Sequence, residues 1–324
     1  MAKSSSSSVN TRSTCRAFFA FAPLLAFFPT LAVRVRAADP PARAVLEVAK
    51  NSAGEEIISH GILLDGHPGL VVTVAASIED SATFLVGPFP RRADSPPAPA
   101  TVALFDPGSR VLFLKMEAAP AGTTAVRPAA TPTATTAPLS WSPPDGAQPG
   151  IDAGPIRQLD GRPLTLTLRR LHFGSTRETD TPVPGTPVFN DQADLAAVAL
   201  SPIPDEAGAW LGLPAAAVSK LATDFAAVGR AETGQLDLGV AVGTTTPRIE
   251  FVKPGSRAQK AGLQAGDILL SLGGRPVADV FDILDANFFL TARDPVTIRL
   301  LRGLETMSVT APPVKPATPA KTPE

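Results

Sequence analysis

The sequence predicts a mainly β protein made of two successive units, and three observations carry that expectation. Residues 43–116 hold six apolar runs of strand length, separated by turn signals and without helical periodicity between them. The first clear helical stripe comes only at 214–228. Beyond it, residues 234–310 alternate strand-length runs with Gly-containing turns around one more helical pattern. Closely spaced strands without intervening helices are the pattern of barrels and sandwiches, not of parallel α/β sheets.

The chain opens on Lys3, Arg12 and Arg16, then an apolar run at 17–33, then Val35-Arg36-Ala37. A basic stretch, an apolar stretch and a small residue before the cut make an export signal over residues 1–37, and the protein is expected to be periplasmic or otherwise exported. Thr30-Leu31-Ala32 offers a second cut. Pro23 and Pro29 interrupt a run already short for crossing a bilayer, so an uncleaved N-terminal anchor is the alternative. The single cysteine, Cys15, precedes the apolar run. The cleaved chain would therefore carry no disulfide, thiolate metal site or cysteine nucleophile. A net charge of -1 gives no broad basic surface for nucleic acid.

Within the first unit, residues 38–230, strands are expected at 44–49, 57–64, 69–75, 83–86, 100–105 and 111–116. Asp65-Gly66 and Pro107-Gly108 supply turns between them. Residues 117–150 are rich in Ala, Pro and Thr and read as a long surface insert or a degenerated part of a barrel. Strand signals return at 163–168, 187–189 and 195–200. A helix over 214–228 would bury Val218, Leu221, Phe225 and Val228, with Pro214 in its first turn and Gly229 as its C-terminal cap.

The second unit, residues 231–311, begins with Leu238-Gly239-Val240. A further strand is expected at 248–252, then a turn at Pro254-Gly255, where Pro before Gly fits the centre of a type II turn. Ala258 to Asp267 reads AQKAGLQAGD and leads into a strand at 268–272, a Gly273-Gly274 hairpin and a helix over 277–290. Val277, Val280, Phe281, Leu284 and Phe288 are expected on one stripe of that helix. Closing strands follow at 296–301 and 306–310, and the Pro-rich tail at 312–324 is expected to be disordered.

These fragments resemble, in order, the HtrA/Deg family, a trypsin-like protease followed by a PDZ domain. Ser59-His60-Gly61 with Ile62 to Asp65 resembles its Gly-Ser-Gly-Val-Ile-Ile-Asp strand. Leu70-Val71-Val72-Thr73-Val74-Ala75 resembles the strand before the catalytic histidine. Asp106-Pro107 with Val111 to Lys115 resembles the aspartate segment. Gly185-Thr186-Pro187-Val188-Phe189-Asn190 resembles the segment after the nucleophile, and Leu211-Gly212-Leu213-Pro214 the helix entry before the linker. The AQKAGLQAGD run is the most specific PDZ signature. The resemblance implies a mainly β fold: a degenerate trypsin-like double β-barrel, then a PDZ domain of β-sandwich type with capping helices.

On that alignment the chemistry is missing. Ala76 takes the histidine position, Arg110 the aspartate position and Pro184 the serine position, so no base stands beside a hydroxyl and no acid orients it. The family's oxyanion hole uses backbone N–H groups at the nucleophile and two residues before it. Those positions are Pro184 and Pro182, which have no N–H. His60, His67 and His172 are scattered without metal-ligand spacing and read as structural or surface histidines. No phosphate loop, dinucleotide fingerprint or other cofactor motif occurs, and no metal site is expected.

The resemblance places peptide binding in the PDZ groove. Backbone N–H groups of Leu238, Gly239 and Val240 would receive a carboxylate, and Leu238, Val240, Phe281 and Leu284 would line the pocket. Protein C-termini or extended peptides are the expected partners; homo-oligomerisation stays open. The leading expectation is an exported pseudo-protease acting as scaffold, sensor or quality-control factor. Two others stand beside it: an active periplasmic serine endopeptidase, and a structural envelope protein whose PDZ groove is occluded.

Overall fold

The computed structural model describes residues 43–52, 55–130, 138–141, 151–154, 168, 171–175, 182–204, 206–232, 238–240, 246–291 and 293–313. All of them belong to one compact unit, Val35–Glu324. The expected export signal over 1–37, most of the expected strand at 163–168 and nearly all of the tail lie outside the described residues.

Six strands form a closed barrel: β1 Val45–Ser52, β2 Glu55–Leu63, β3 Leu70–Val74, β4 Thr83–Pro88, β5 Ala98–Asp106 and β6 Val111–Lys115. They pair antiparallel in the cyclic order β1-β2-β3-β6-β5-β4. β3 and β6 are apolar along nearly their whole length because both their faces are covered. Val71, Leu112 and Leu114 pack inside the barrel with Leu46, Val48, Phe84 and Val86. The alternate residues Val72, Val74, Val111 and Phe113 enter a second core shared with the next sheet. This alternation turns two short strands into the hinge between two cores.

The second sheet comprises β7 Pro138–Leu139, β8 Ile151–Gly154, β9 Leu171–Ser175, β10 Pro187–Phe189, β11 Leu195–Pro202 and β12 Ala209–Pro214. Its order is β10-β11-β12-β9-β8-β7. Just past β7, Ser140 pairs antiparallel with Phe189 of β10. Ser140 N–H donates to the Phe189 carbonyl (2.9 Å) and Phe189 N–H to the Ser140 carbonyl (2.7 Å), so one residue pair joins the two ends of the sheet. Its own core contains Leu139, Trp141, Phe173, Val188, Ala197 and Trp210, while Phe189, Leu195, Val198, Leu211 and Leu213 face the shared core.

Of the two readings of residues 117–150, the described part does not form a mere surface insert: Val126, Leu139 and Trp141 are buried, and Pro138–Leu139 supply a strand of the second sheet. Segments 171–175 and 209–214 are strands, where the sequence suggested no element and a helix entry respectively.

Helix α1, Ala215–Val228, packs Val218, Leu221 and Ala222 into the shared core. Pro214 is its N-cap, one residue outside the expected first turn. Gly229 caps the other end at φ 70°, donating to the Phe225 carbonyl. Val228 stays exposed, so the expected stripe ends at Phe225, which is partly buried.

The C-terminal module contains β13 Leu238–Val240, β14 Ile249–Val252, α2 Arg257–Lys260, β15 Ile268–Leu272, β16 Arg275–Pro276, α3 Val280–Phe289, β17 Val296–Arg302 and β18 Glu305–Ala311. β13 pairs with β14, and β16-β15-β17-β18 form a four-stranded sheet, linked to the end of β14 by the Arg248–Ile268 bridge. The Pro254-Gly255 turn forms as expected, with Gly255 at φ 76° and Ser256 N–H bonded to the Lys253 carbonyl. Asp267, 1 % exposed, receives Arg302 through two hydrogen bonds of 2.8 Å and also caps Gln264 N–H (2.9 Å). The AQKAGLQAGD run is therefore folded around its last residue.

Helix α3 starts with a reciprocal cap: the Asp279 carboxylate accepts from Asp282 N–H, and the Asp282 carboxylate accepts from Asp279 N–H. Of the expected stripe, Val277 and Val280 are buried, Val277 in the module's core, whereas Leu284 is 39 % exposed; the rest of the inward face is Ile283 and Ala286, with Leu290 just beyond. Phe288 leaves the module altogether and enters the core shared by the two β-sheets.

Candidate functional site

Two places were marked by the sequence: the corner where a protease would keep its triad, and the edge of β13. At the first, β3 ends at Val74, and Ala75 N–H donates to the Arg110 carbonyl (3.0 Å). Ala76 and Arg110, far apart in sequence, are thus brought to one corner of the first barrel. Arg110 is held at φ 67° by its N–H bond to the Asp106 carbonyl (2.8 Å), and Ser109 N–H is capped by the Asp106 carboxylate (2.8 Å).

The third position arrives from the second sheet. Val183, Pro184, Gly185 and Thr186 form a tight turn in which Thr186 N–H donates to the Val183 carbonyl (3.0 Å). Proline at the second place and glycine at φ 87° in the third give the arrangement of a type II turn. This turn is stapled to β2: His60 N–H donates to the Pro184 carbonyl (2.8 Å). A Cβ on Gly185 would lie 1.8 Å from the His60 carbonyl oxygen, so no other residue fits there.

The backbone donors of the turn are all accounted for. Pro182 and Pro184 have none; Val183 N–H goes to the Thr186 hydroxyl (3.0 Å), Gly185 N–H to the Ala199 carbonyl (2.8 Å), and Thr186 N–H closes the turn. Donors that stabilise a developing oxyanion must point at an open site. Here each available N–H points into the protein.

Sequence reasoning missed one pair at this corner. His60 Nδ1 lies 2.8 Å from the Thr186 hydroxyl, a histidine and a hydroxyl 126 residues apart. Thr186 already accepts from Val183 N–H, which leaves its own proton for Nδ1 of a neutral imidazole. Burial pushes the His60 pKa down to about 4, and Phe89 covers the ring at 4.3 Å between centroids. Thr186 is 1 % exposed and His60 4 %. The pair fastens the turn to β2, as the structural reading of His60 expected. His67 sits in the turn after β2, and the His172 side chain lies outside the described residues. Among the described residues no three His, Cys, Asp or Glu side chains are grouped to hold a metal ion.

At the second place, β13 is bonded along one edge to β14, Leu238 opposite Val252, Gly239 opposite Phe251 and Val240 opposite Ile249. Its other edge has no strand partner among the described residues. Successive N–H groups of a strand point to opposite edges. The carboxylate-binding role expected for Leu238, Gly239 and Val240 rests on their backbone N–H groups, and β13 is the strand that carries them. Among the described residues the outer side of β13 is an edge to which a further strand could add. On α3, Leu284 is 39 % exposed, unlike Ile283 and Ala286 beside it. The side chains of Leu238, Val240 and Phe281 lie outside the described residues.

Comparison with known proteins agrees with this architecture. A family model for the PDZ domain matches residues 248–302. No curated protein matches the sequence. Among solved structures, the HtrA-type protease AlgW with a tripeptide aligns at TM-score 0.61 and 15% identity, covering 86% of this chain and 96% of that one. AlgW with a decapeptide aligns at TM-score 0.58 and 13% identity, over 86% and 97%. The serine endoprotease from Yersinia pestis gives TM-score 0.54 and 18% identity, over 84% and 93%. Identities this low carry the fold and not the chemistry. A six-stranded barrel, a second β-sheet and a PDZ domain in the C-terminal region give this chain an HtrA-like, mainly β fold.

Proposed function

We propose that this protein is an exported pseudo-protease that binds extended peptides through its PDZ module and does not hydrolyse them. One observation carries the reading: the 183–186 turn, at the nucleophile's place, holds Pro184 and spends every backbone N–H inside the protein. Ala76 and Arg110 at the neighbouring corner supply neither base nor orienting acid. An active endopeptidase would need an open hydroxyl beside a base. The His60–Thr186 pair has the right atoms but is buried, and an imidazole whose pKa is near 4 is a weak base at neutral pH.

The purified mature chain is expected neither to cleave unfolded casein nor to be labelled by a fluorophosphonate. Turnover that co-elutes with the protein through several columns would sink the proposal. Pro184→Ser alone is expected to remain inert, because base and oxyanion donors would still be missing.

Peptide binding is the other half. β13 offers an edge with no strand partner among the described residues, Leu284 an apolar side chain on α3, and two of the similar structures are HtrA-type proteases with peptides. An extended peptide with an apolar C-terminal residue is expected to bind at micromolar affinity, about -8 kcal/mol, because the buried area is small. Val240→Asp is expected to abolish it. Since β13 is a paired strand, amidation of the peptide's carboxylate should cost less than loss of its backbone hydrogen bonds by N-methylation. A diverse peptide library that fails to bind would favour a structural envelope component instead. Export belongs to the same proposal, and N-terminal sequencing of the mature chain would test the cut expected after Ala37.

A further inference from the structure

Phe251 on β14 is 57 % exposed and stands directly opposite Gly239 on β13. The register shift between Gly239 and Val240 leaves Glu250 as the extra residue of β14. Through it, Ile249 and Val252 both face the module's core while Phe251 faces solvent. Directly opposed residues share a face of the sheet. The row running from Phe251 across β13 therefore meets Gly239, which has no side chain, and then an edge that no described strand covers.

We propose that this row is a specificity subsite: a peptide added to β13 is selected for a large apolar or aromatic side chain at the internal position that faces Gly239, with Phe251 as the platform. The inference rests on the peptide-binding reading and adds to it which ligand chemistry is chosen. Strands lie about 4.8 Å apart, so the peptide residue and Phe251 would be separated by roughly 10 Å at their Cα atoms. A side chain at the middle position would fill that interval. Glycine leaves it open, and two large side chains leaning over a glycine close it, whereas a small peptide residue leaves the ring in water. Residues on either side of that peptide position project to the opposite face and cannot reach Phe251.

The test uses the full mature chain and short fluorescein-labelled peptides in a positional scan, read by fluorescence polarisation. In the parent protein, one internal position should favour Phe, Trp or Leu over Ala by roughly 10-fold. Phe251→Ser, at an exposed site where folding is undisturbed, should reduce that preference to within about 2-fold. Preferences at the two flanking positions should be unchanged, and Phe251→Trp should retain the selection. Peptides that bind the parent with no such preference, or with one that survives Phe251→Ser, would overturn the subsite while leaving the groove standing. A parent chain that binds no peptide would overturn the peptide-binding reading itself, and this inference with it.

Discussion

His60 shows how one residue can act as a structural pin between two sheets. Its backbone N–H holds the Pro184 carbonyl, its carbonyl accepts from the Thr73 hydroxyl (2.6 Å), and its ring meets Thr186. Burial keeps the folded pKa near 4 against an ordinary 6.5. Between those values the unfolded chain takes up a proton that the folded chain refuses, so stability falls as pH falls. The contribution is fully present above pH 6.5 and is lost on the way down to about pH 4; its size is about 3 kcal/mol. Urea titrations across that range should show the slope. His60→Asn, whose amide can replace Nδ1 as a partner of Thr186, should remove most of it. An unchanged slope in the variant would mean that other groups set the acid response.

At the scale of elements, the Asp267–Arg302 pair ties the loop after α2 to the end of β17. Two hydrogen bonds from Arg302 hold the Asp267 carboxyl below the usual carboxylate range. Arg302→Ala would leave a buried carboxylate with only the Gln264 N–H, and should cost about 2–3 kcal/mol of PDZ stability in chemical denaturation. A loss under half a kcal/mol would show that solvent replaces the guanidinium. The same elements explain what the sequence could tell. β1 to β6 were readable because β-branched and aliphatic runs are punctuated by turn dipeptides. β8, β9 and β12 were not, since IDAG, LHFGS and AWLGLP hold too much Gly, Pro or polar character to declare a strand without their neighbours. Leu139 and Trp141 were hidden in an Ala/Pro/Thr-rich stretch whose composition suggests loop. Ala76, Arg110 and Pro184 could be singled out from sequence by their place in successive segments, whereas the His60–Thr186 bond joins two sheets and leaves no local trace. α3 misled for a different reason: it is apolar on two sides, so a single stripe cannot be phased from its pattern.

That two-sidedness governs the whole molecule. Ile283 and Ala286 belong to the PDZ core, while Phe288 is buried among Phe113, Val218, Leu221 and the rest of the core between the β-sheets. Lys220 of α1 sits 5.8 Å from the centre of the Phe288 ring and is itself paired with buried Asp224. Arg293 reaches Glu232 of the linker at 2.9 Å. A helix shared by two cores should make the domains unfold together. Differential scanning calorimetry of the purified protein is expected to give one transition, and Phe288→Ala to split it while costing about 3–4 kcal/mol. Two transitions in the parent would mean that the shared helix does not couple them.

The joint at Ser140 and Phe189 carries a consequence of another kind. A sheet whose two ends meet, among the described residues, through the Ser140–Phe189 pair is a strip held by a clasp, and a chain in which the clasp opens presents β7 and β10 as raw borders. Such borders invite a matching strip from a second molecule, so this seam is where self-association of a partly opened chain would begin.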